Sequence, residues 1–165
     1  MRTGIYAVVD GAEYTASADY YSLTIFSDSR PPDQRPWREL WDGEWACDVS
    51  RDDITRLYRV WAYATFDSLP VTVDNVDRKT GKIGIIAKPG AGGAGQQLAY
   101  PPHKDLSPMH ANAASLDGWY GNVDINRLTD IRESVEELDL SRYGHPEPPP
   151  SPPRRKTPEV PTQNS

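Results

Sequence analysis

The chain holds one cysteine, Cys47, two methionines and two phenylalanines in 165 residues. A lone cysteine forms no intramolecular disulfide and anchors no multi-cysteine zinc site, so neither staple is available and a reducing compartment suits the protein. Positive charge is also short. Eighteen Lys and Arg stand against 24 Asp and Glu, a net charge of −6, the wrong sign for a surface that neutralises phosphates, so no nucleic-acid partner is expected. No apolar run approaches the ~20 residues of a bilayer span, and the N-terminus lacks a basic, apolar, small-residue leader; no membrane partner and a cytoplasmic location are expected. What the chain has in excess is proline, 16 residues, nearly twice the usual share of about 5%.

Half of those prolines lie between Gly144 and Ser165, in a stretch with almost nothing apolar. Such a segment buries too little surface to offset the entropy of ordering it, and is expected to be a disordered tail with polyproline II character. Within it Pro149, Pro152 and Arg154 match the PxxPxR spacing that SH3 domains read. Residues 1–143 carry 15 of the basic and 22 of the acidic side chains, a charge of −7 that belongs to the fold. Two breaker-rich stretches, 27–38 and 88–108, read as long loops.

The body contains a repeat. Residues 4–16 align with 61–73 at an offset of 57, pairing Tyr6 with Tyr63, Ala7 with Ala64, Asp10 with Asp67 and Thr15 with Thr72. Leu23–Phe26 then faces Ile83–Ile86, and Trp45, Val49, Ile54, Thr55 and Leu57 face Trp119, Val123, Leu128, Thr129 and Ile131. Each copy reads as a hairpin, a third strand, a fourth strand opening on tryptophan, and a short helical turn. Asp10-Gly11 favours a tight hairpin turn; Asp67-Ser68-Leu69-Pro70 suggests a looser one. Ser50 and Asp53 have capping-box spacing, and Asp124 starts the second turn. Leu57–Phe66 reads as a strand leading into the second copy, with Tyr58, Trp61 and Tyr63 at the seam. Leu128, Ile131, Val135 and Leu138 fall at helical steps and predict a C-terminal amphipathic helix.

The expected fold is therefore mainly β: two tandem SH3-like β-barrel repeats with short helical turns, a C-terminal amphipathic helix and a disordered tail. The first repeat covers residues 1–60. The second covers 61–143, with a Gly/Pro-rich insertion at 88–108, and the tail runs from 144 to 165.

Signals for chemistry are weak. Gly90, Gly92 and Gly95 spell GxGxxG after a strand, but Pro101 and Pro102 forbid the helix whose N-terminus a dinucleotide needs. His103, Asp105 and His110 share a loop without metal-ligand spacing. Cys47 alternates with Trp45 and Val49 along a strand, which suggests a buried, inert thiol. No enzyme, cofactor or metal is indicated. Surface recognition remains. Trp37, Trp41 and Trp45 recur at steps of four among Arg38, Glu39, Asp42, Glu44 and Asp48. Trp45, with its repeat partner Trp119, reads as a structural post. Trp37 and Trp41, with Glu39, Asp42, Glu44 and Asp48, are the candidate interface for a basic protein, the aromatics anchoring and the carboxylates speeding encounter.

The duplicated pattern of Tyr6–Tyr14 (YAVVDGAEY), the Trp45 strand ending in Val49, the run Asp53–Tyr58 (DITRLY) and the weaker second round from Trp119 to Ile131 resembles small cytosolic bacterial immunity proteins of polymorphic toxin systems. The resemblance implies a non-enzymatic protein that binds a cognate toxin and occludes it. The alternative is a scaffold or adaptor whose proline-rich tail recruits a partner.

Overall fold

The computed structural model describes residues 1–41, 43–77, 79–88, 103–108 and 118–147. Asp42, His110, the glycines of the GxGxxG run and the tail from residue 148 onward, with its PxxPxR spacing, lie outside them. Among the described residues the fold is mainly β, in a single antiparallel sheet that does not close. Its strands are β1 (Gly4–Val9), β2 (Ala12–Ala18), β3 (Leu23–Ser27), β4 (Arg38–Glu39), β5 (Trp45–Asp48), β6 (Ile54–Phe66), β7 (Leu69–Val76), β8 (Lys82–Ala87), β9 (Ser107–Pro108), β10 (Trp119–Asp124) and β11 (Leu128–Glu137). Single 3-10 turns at Arg51–Asp53 and Ile125–Arg127 precede β6 and β11, and a third follows at Leu140–Arg142. Three strands, a two-residue strand, another strand, a 3-10 turn and a closing strand thus occur twice in the same order. Among the described residues no helix is long and apolar enough to cross a membrane.

The two rounds meet in β6. Val60 pairs with Gly4 of β1 and with Val135 of β11, and Ala62 with Val73 of β7 and Glu133 of β11. So β1 and β7 lie end to end along one edge of β6, while β11 takes the other. Successive side chains of a strand point to opposite faces, and β6 uses both. Leu57 enters a first core with Ala7, Val9, Leu23, Ile25, Trp37 and Cys47. Ala62, Ala64 and Phe66, on the opposite face, enter a second core with Val71, Val73, Ile83, Ile85, Trp119 and Val123. Tyr6, Tyr58 and Val60 form a third, smaller cluster, Tyr58 stacking on Tyr6 with ring centroids 5.6 Å apart.

Three expectations are corrected. Leu128–Leu138 is not an amphipathic helix: Leu128–Glu137 is strand β11. Its apolar side chains share no buried face, since Leu128 is 7% exposed while Ile131 and Val135 are 41% and 48% exposed. β-Branched Thr129, Ile131 and Val135 suit a strand, and the open edge of β6 supplies the hydrogen bonds. The second hairpin is not looser than the first. Val9 pairs with Ala12 and Phe66 with Leu69, and both two-residue turns have positive φ throughout: 50° and 77° at Asp10-Gly11, 44° and 71° at Asp67-Ser68. Finally, the chain returns to the first lobe after β11, with Gly144 and His145 included. Leu138, Leu140 and Tyr143 pack on the first core, Arg51 donates to Tyr143 O at 3.0 and 2.7 Å, and the N–H groups of Gly144 and His145 donate to Asp19 O and Tyr20 O. Gly144 has a φ of 63°, and a Cβ there would lie 2.6 Å from Leu23 Cδ1, so a larger residue would be strained and would displace the Leu23 side chain.

Ser68 is a side-chain-bearing residue in a conformation that glycine adopts freely. Ser68→Gly is expected to stabilise the protein by about 0.5–1 kcal/mol, the relief of left-handed strain outweighing the added unfolded-state freedom. The urea midpoint measures it; Gly11→Ser should move the midpoint the other way.

Candidate functional site

Both hairpin turns are pinned in the same way, by an arginine that bridges two aspartates. In the first lobe Arg35 donates to Asp10, and to Asp33 Oδ2 at 2.8 Å. In the second, Arg127 donates to Asp67 Oδ2 at 2.5 Å and to Asp105 Oδ2 at 2.7 Å. Asp33 and Asp105 each lie in the loop that runs on to the two-residue strand, so each bridge straps that loop over the hairpin. Beneath the first strap sits Trp37, 7% exposed, and beneath the second Leu106, 3% exposed. The Trp37 indole donates to Asp33 Oδ1 at 2.6 Å, and its ring lies 5.7 Å from that of Tyr14.

These straps account for several of the candidate residues. Trp37 is a core side chain rather than an exposed anchor, and Leu106 holds its place in the second lobe. His103 is engaged at both ring nitrogens: Nε2 lies 2.9 Å from Asp67 Oδ2, and Nδ1 accepts from Asp105 N–H at 3.1 Å. Its ring stands edge-on to Phe66. Cys47 is fully buried, which pushes its thiol pKa up and keeps it from acting as a nucleophile. Asp48 accepts from Thr24 Oγ1 at 2.8 Å and Arg38 Nη1 at 3.0 Å, and the Thr24 hydrogen bond holds its pKa down against burial. Glu39 is exposed on β4, opposite Trp45. Trp45 is half-buried under the Arg30 guanidinium and Trp119 is buried. Among the described residues no group of three or more His, Cys, Asp or Glu side chains could hold a metal ion.

Trp41 is different. It is 97% exposed and rims a cleft of about 760 Å³ between the lobes. Four carboxylates line the cleft, Asp28, Glu44, Asp74 and Asp77, together with the cations of Arg2 and Lys79 and the N-terminal residue Met1, whose ammonium lies 3.9 Å from Glu133. A smaller hollow of about 260 Å³ continues it past Arg2, Tyr6, Thr15 and Asp28 to Glu13 and Phe26. The Arg2 charge is spent inside the protein: its guanidinium lies 3.4 Å from Glu13 and 3.5 Å from Glu133, and 5.7 Å above the Tyr6 ring. Asp77 caps its own turn. It accepts from Thr80 Oγ1 at 2.6 Å and from the N–H groups of Thr80 and Lys79, which hold its pKa below the usual carboxylate range. The cleft is therefore a charged, partly aromatic trough, with carboxylates in slight excess and an exposed indole at its lip.

No protein-family model, curated protein or solved structure matches this chain. The trough is thus read from its own chemistry. It brings together Trp41 and Glu44 of the candidate set, but not Trp37, Glu39 or Asp48. The lining residues missed by sequence reasoning, Arg2, Tyr6, Asp28, Asp74 and Asp77, come from the N-terminus, β1, the loop after β3, β7 and the β7–β8 turn. Asp28, Asp74 and Asp77 had acidity as a sequence signal, Arg2 and Tyr6 had none for this site, and only the folding of β1 and β7 onto the same edge of β6 gathers them.

The two tryptophans separate cleanly. Trp37→Ala should cost about 3–5 kcal/mol through the cavity it leaves, whereas Trp41→Ala should move stability by less than about 0.5 kcal/mol; chemical denaturation of both variants reads the difference. Stability should also depend on acid. Burial pushes Asp33 up, but the Trp37 indole, the Arg35 N–H and the Arg35 guanidinium together hold its pKa below the unfolded value, and the Arg127 guanidinium does the same for Asp105. Groups lowered on folding stabilise above the unfolded pKa and lose that contribution as pH falls through the folded one. Urea midpoints should hold from neutral pH to about pH 5 and fall below about pH 4, with a shallower fall in Asp33→Asn.

Proposed function

We propose that residues 4–137 form two tandem SH3-like units sharing β6, and that the protein is a non-enzymatic immunity protein acting in the cytosol. In this reading the inter-lobe trough seats a basic surface of a cognate toxin domain and occludes it. Support for the fold comes from the doubled order of strands and 3-10 turns, the two separate cores and the two Asp–Arg–Asp straps. The observation that carries the function is Trp41, a nearly fully exposed indole at the lip of a trough lined by four carboxylates, Arg2, Lys79 and the N-terminal residue Met1. An indole left in water costs hydrophobic free energy that a partner recovers, and tryptophan is among the commonest interface anchors. Flanking carboxylates raise the encounter rate with a positively charged surface and set a salt dependence.

The test is coexpression with the toxin encoded by the adjacent gene, together with binding of the two purified proteins. Growth rescue and a complex that weakens with added salt are expected. Trp41→Ala should weaken binding about thirtyfold, since anchors of this kind contribute at least about 2 kcal/mol. Glu44→Lys and Asp74→Lys should chiefly slow association, and removal of residues 148–165 should leave protection intact. No association at low salt would overturn the immunity reading. Loss of protection on removing the tail would transfer the function to the proline-rich segment.

A further inference from the structure

The edge of β11 facing away from β6 has no strand beside it among the described residues. Leu138 N–H donates to Leu57 O at 2.9 Å, and the register that continues to Arg132 opposite Tyr63 turns the backbone groups of residues 136, 134 and 132 towards β6. Residues of an antiparallel strand alternate in the side to which they offer N–H and C=O. Glu133, Val135 and Glu137 therefore offer theirs outwards, beside the exposed side chains of Ile131 and Val135. An unpaired edge is a template for another strand, and its sequence decides which strand fits.

We propose that β11 is the contact between two copies of this chain, paired antiparallel about a two-fold axis through Ser134. Outward-facing residues can pair only with outward-facing residues, so the axis must pass through a residue of the strand. Centred on Arg132 or Glu133, the pairing sets each of those charges against itself. Centred on Val135 it opposes Glu133 to Glu137, and centred on Glu136 it opposes two Glu136 side chains. A centre at Ile131 runs into the irregularity between Thr129 and Arg132, where Asp130 has a φ of 50°. The Ser134 register alone opposes Arg132 to Glu136 twice, Glu133 to Val135 twice and Ser134 to its mate. Directly opposed opposite charges stabilise a strand pair and like charges destabilise it. In this register Glu133 and Val135 exchange backbone hydrogen bonds across the axis, and the two Val135 side chains meet on the diagonal.

Sedimentation equilibrium of the full chain over a wide concentration range tests this. A monomer–dimer equilibrium is expected. Val135→Pro removes an N–H that has no partner among the described residues, and proline is tolerated at a strand edge. Two intermolecular hydrogen bonds are lost per dimer, so the dissociation constant should rise about thirtyfold. Arg132→Glu, facing Glu136 of the other copy, should likewise weaken association, and R132E/E136R should restore it by re-forming the opposed pairs. Amide exchange at Glu133 and Val135 should slow as concentration rises. A protein that stays monomeric throughout overturns the proposal. So does a dimer that R132E leaves unchanged, or one whose Glu133 and Val135 amides exchange at the monomer rate. Should Val135→Pro fail to fold, the charge exchange and the amide rates decide alone.

Discussion

Everything in this molecule depends on one strand having two buried faces at different points along its length. β6 buries Leu57 in the first core and Ala62, Ala64 and Phe66, on its other face, in the second. A sixty-residue β unit buries too little surface to be comfortably stable alone. Sharing a strand removes one edge from each lobe, because β1 and β7 occupy one side of β6 while β11 covers the other. The Tyr6–Tyr58 stack and Val60 form a third cluster, at β6 positions between Leu57 of the first core and Ala62 of the second. The return of Leu138–His145 to the first lobe then ties the end of the second round to the start of the first.

The trough follows from the same arrangement. Two strands placed end to end on one edge of β6 bring the Arg2–Tyr6 region against the β7–β8 turn, and the loops after β3 and before β5 close the side. The structure spends its basic groups internally, on Asp–Arg–Asp straps, on Arg56 with Glu137, and on Arg2 with Glu13 and Glu133. Asp28, Glu44, Asp74 and Asp77 line the inter-lobe surface together with Arg2 and Lys79. The net charge of −6 is a property of the composition, and a basic partner is the kind that an acidic chain attracts.

Much of the fold was legible because strand formation rests on local chemistry. The Asp10-Gly11 turn, the Leu23 and Lys82 strands, the tryptophan-led fourth strands and the turn in which Asp53 Oδ2 accepts from Ser50 N–H at 3.2 Å all follow from nearby residues. The failures share one cause, which is tertiary context overriding local pattern. Leu128, Ile131, Val135 and Leu138 have helical spacing, yet an open β6 edge offers a ladder of hydrogen bonds that an exposed helix would lack a core to match. Ser68 takes a positive φ, against its preference, because the strands on either side demand the same hairpin as in the first lobe. Trp37 looked like Trp41 because burial turns on Asp33 and Arg35, whose convergence no spacing reveals. Within the site, Trp41 and Glu44 were visible as an aromatic–acidic cluster. Asp74 and Asp77 were not, being remote in sequence and adjacent only through β6.

The measurement closest to the central claim is native-state hydrogen exchange in Phe66→Ala, read at Ile25 in the first core and at Ile85 in the second. If β6 couples the two lobes, both amides open with nearly the same free energy in the wild type, and the variant lowers both by the same amount. An Ile85 amide that loses protection while that of Ile25 keeps its wild-type value would contradict the account, and would make the lobes two independent units joined by a passive strand.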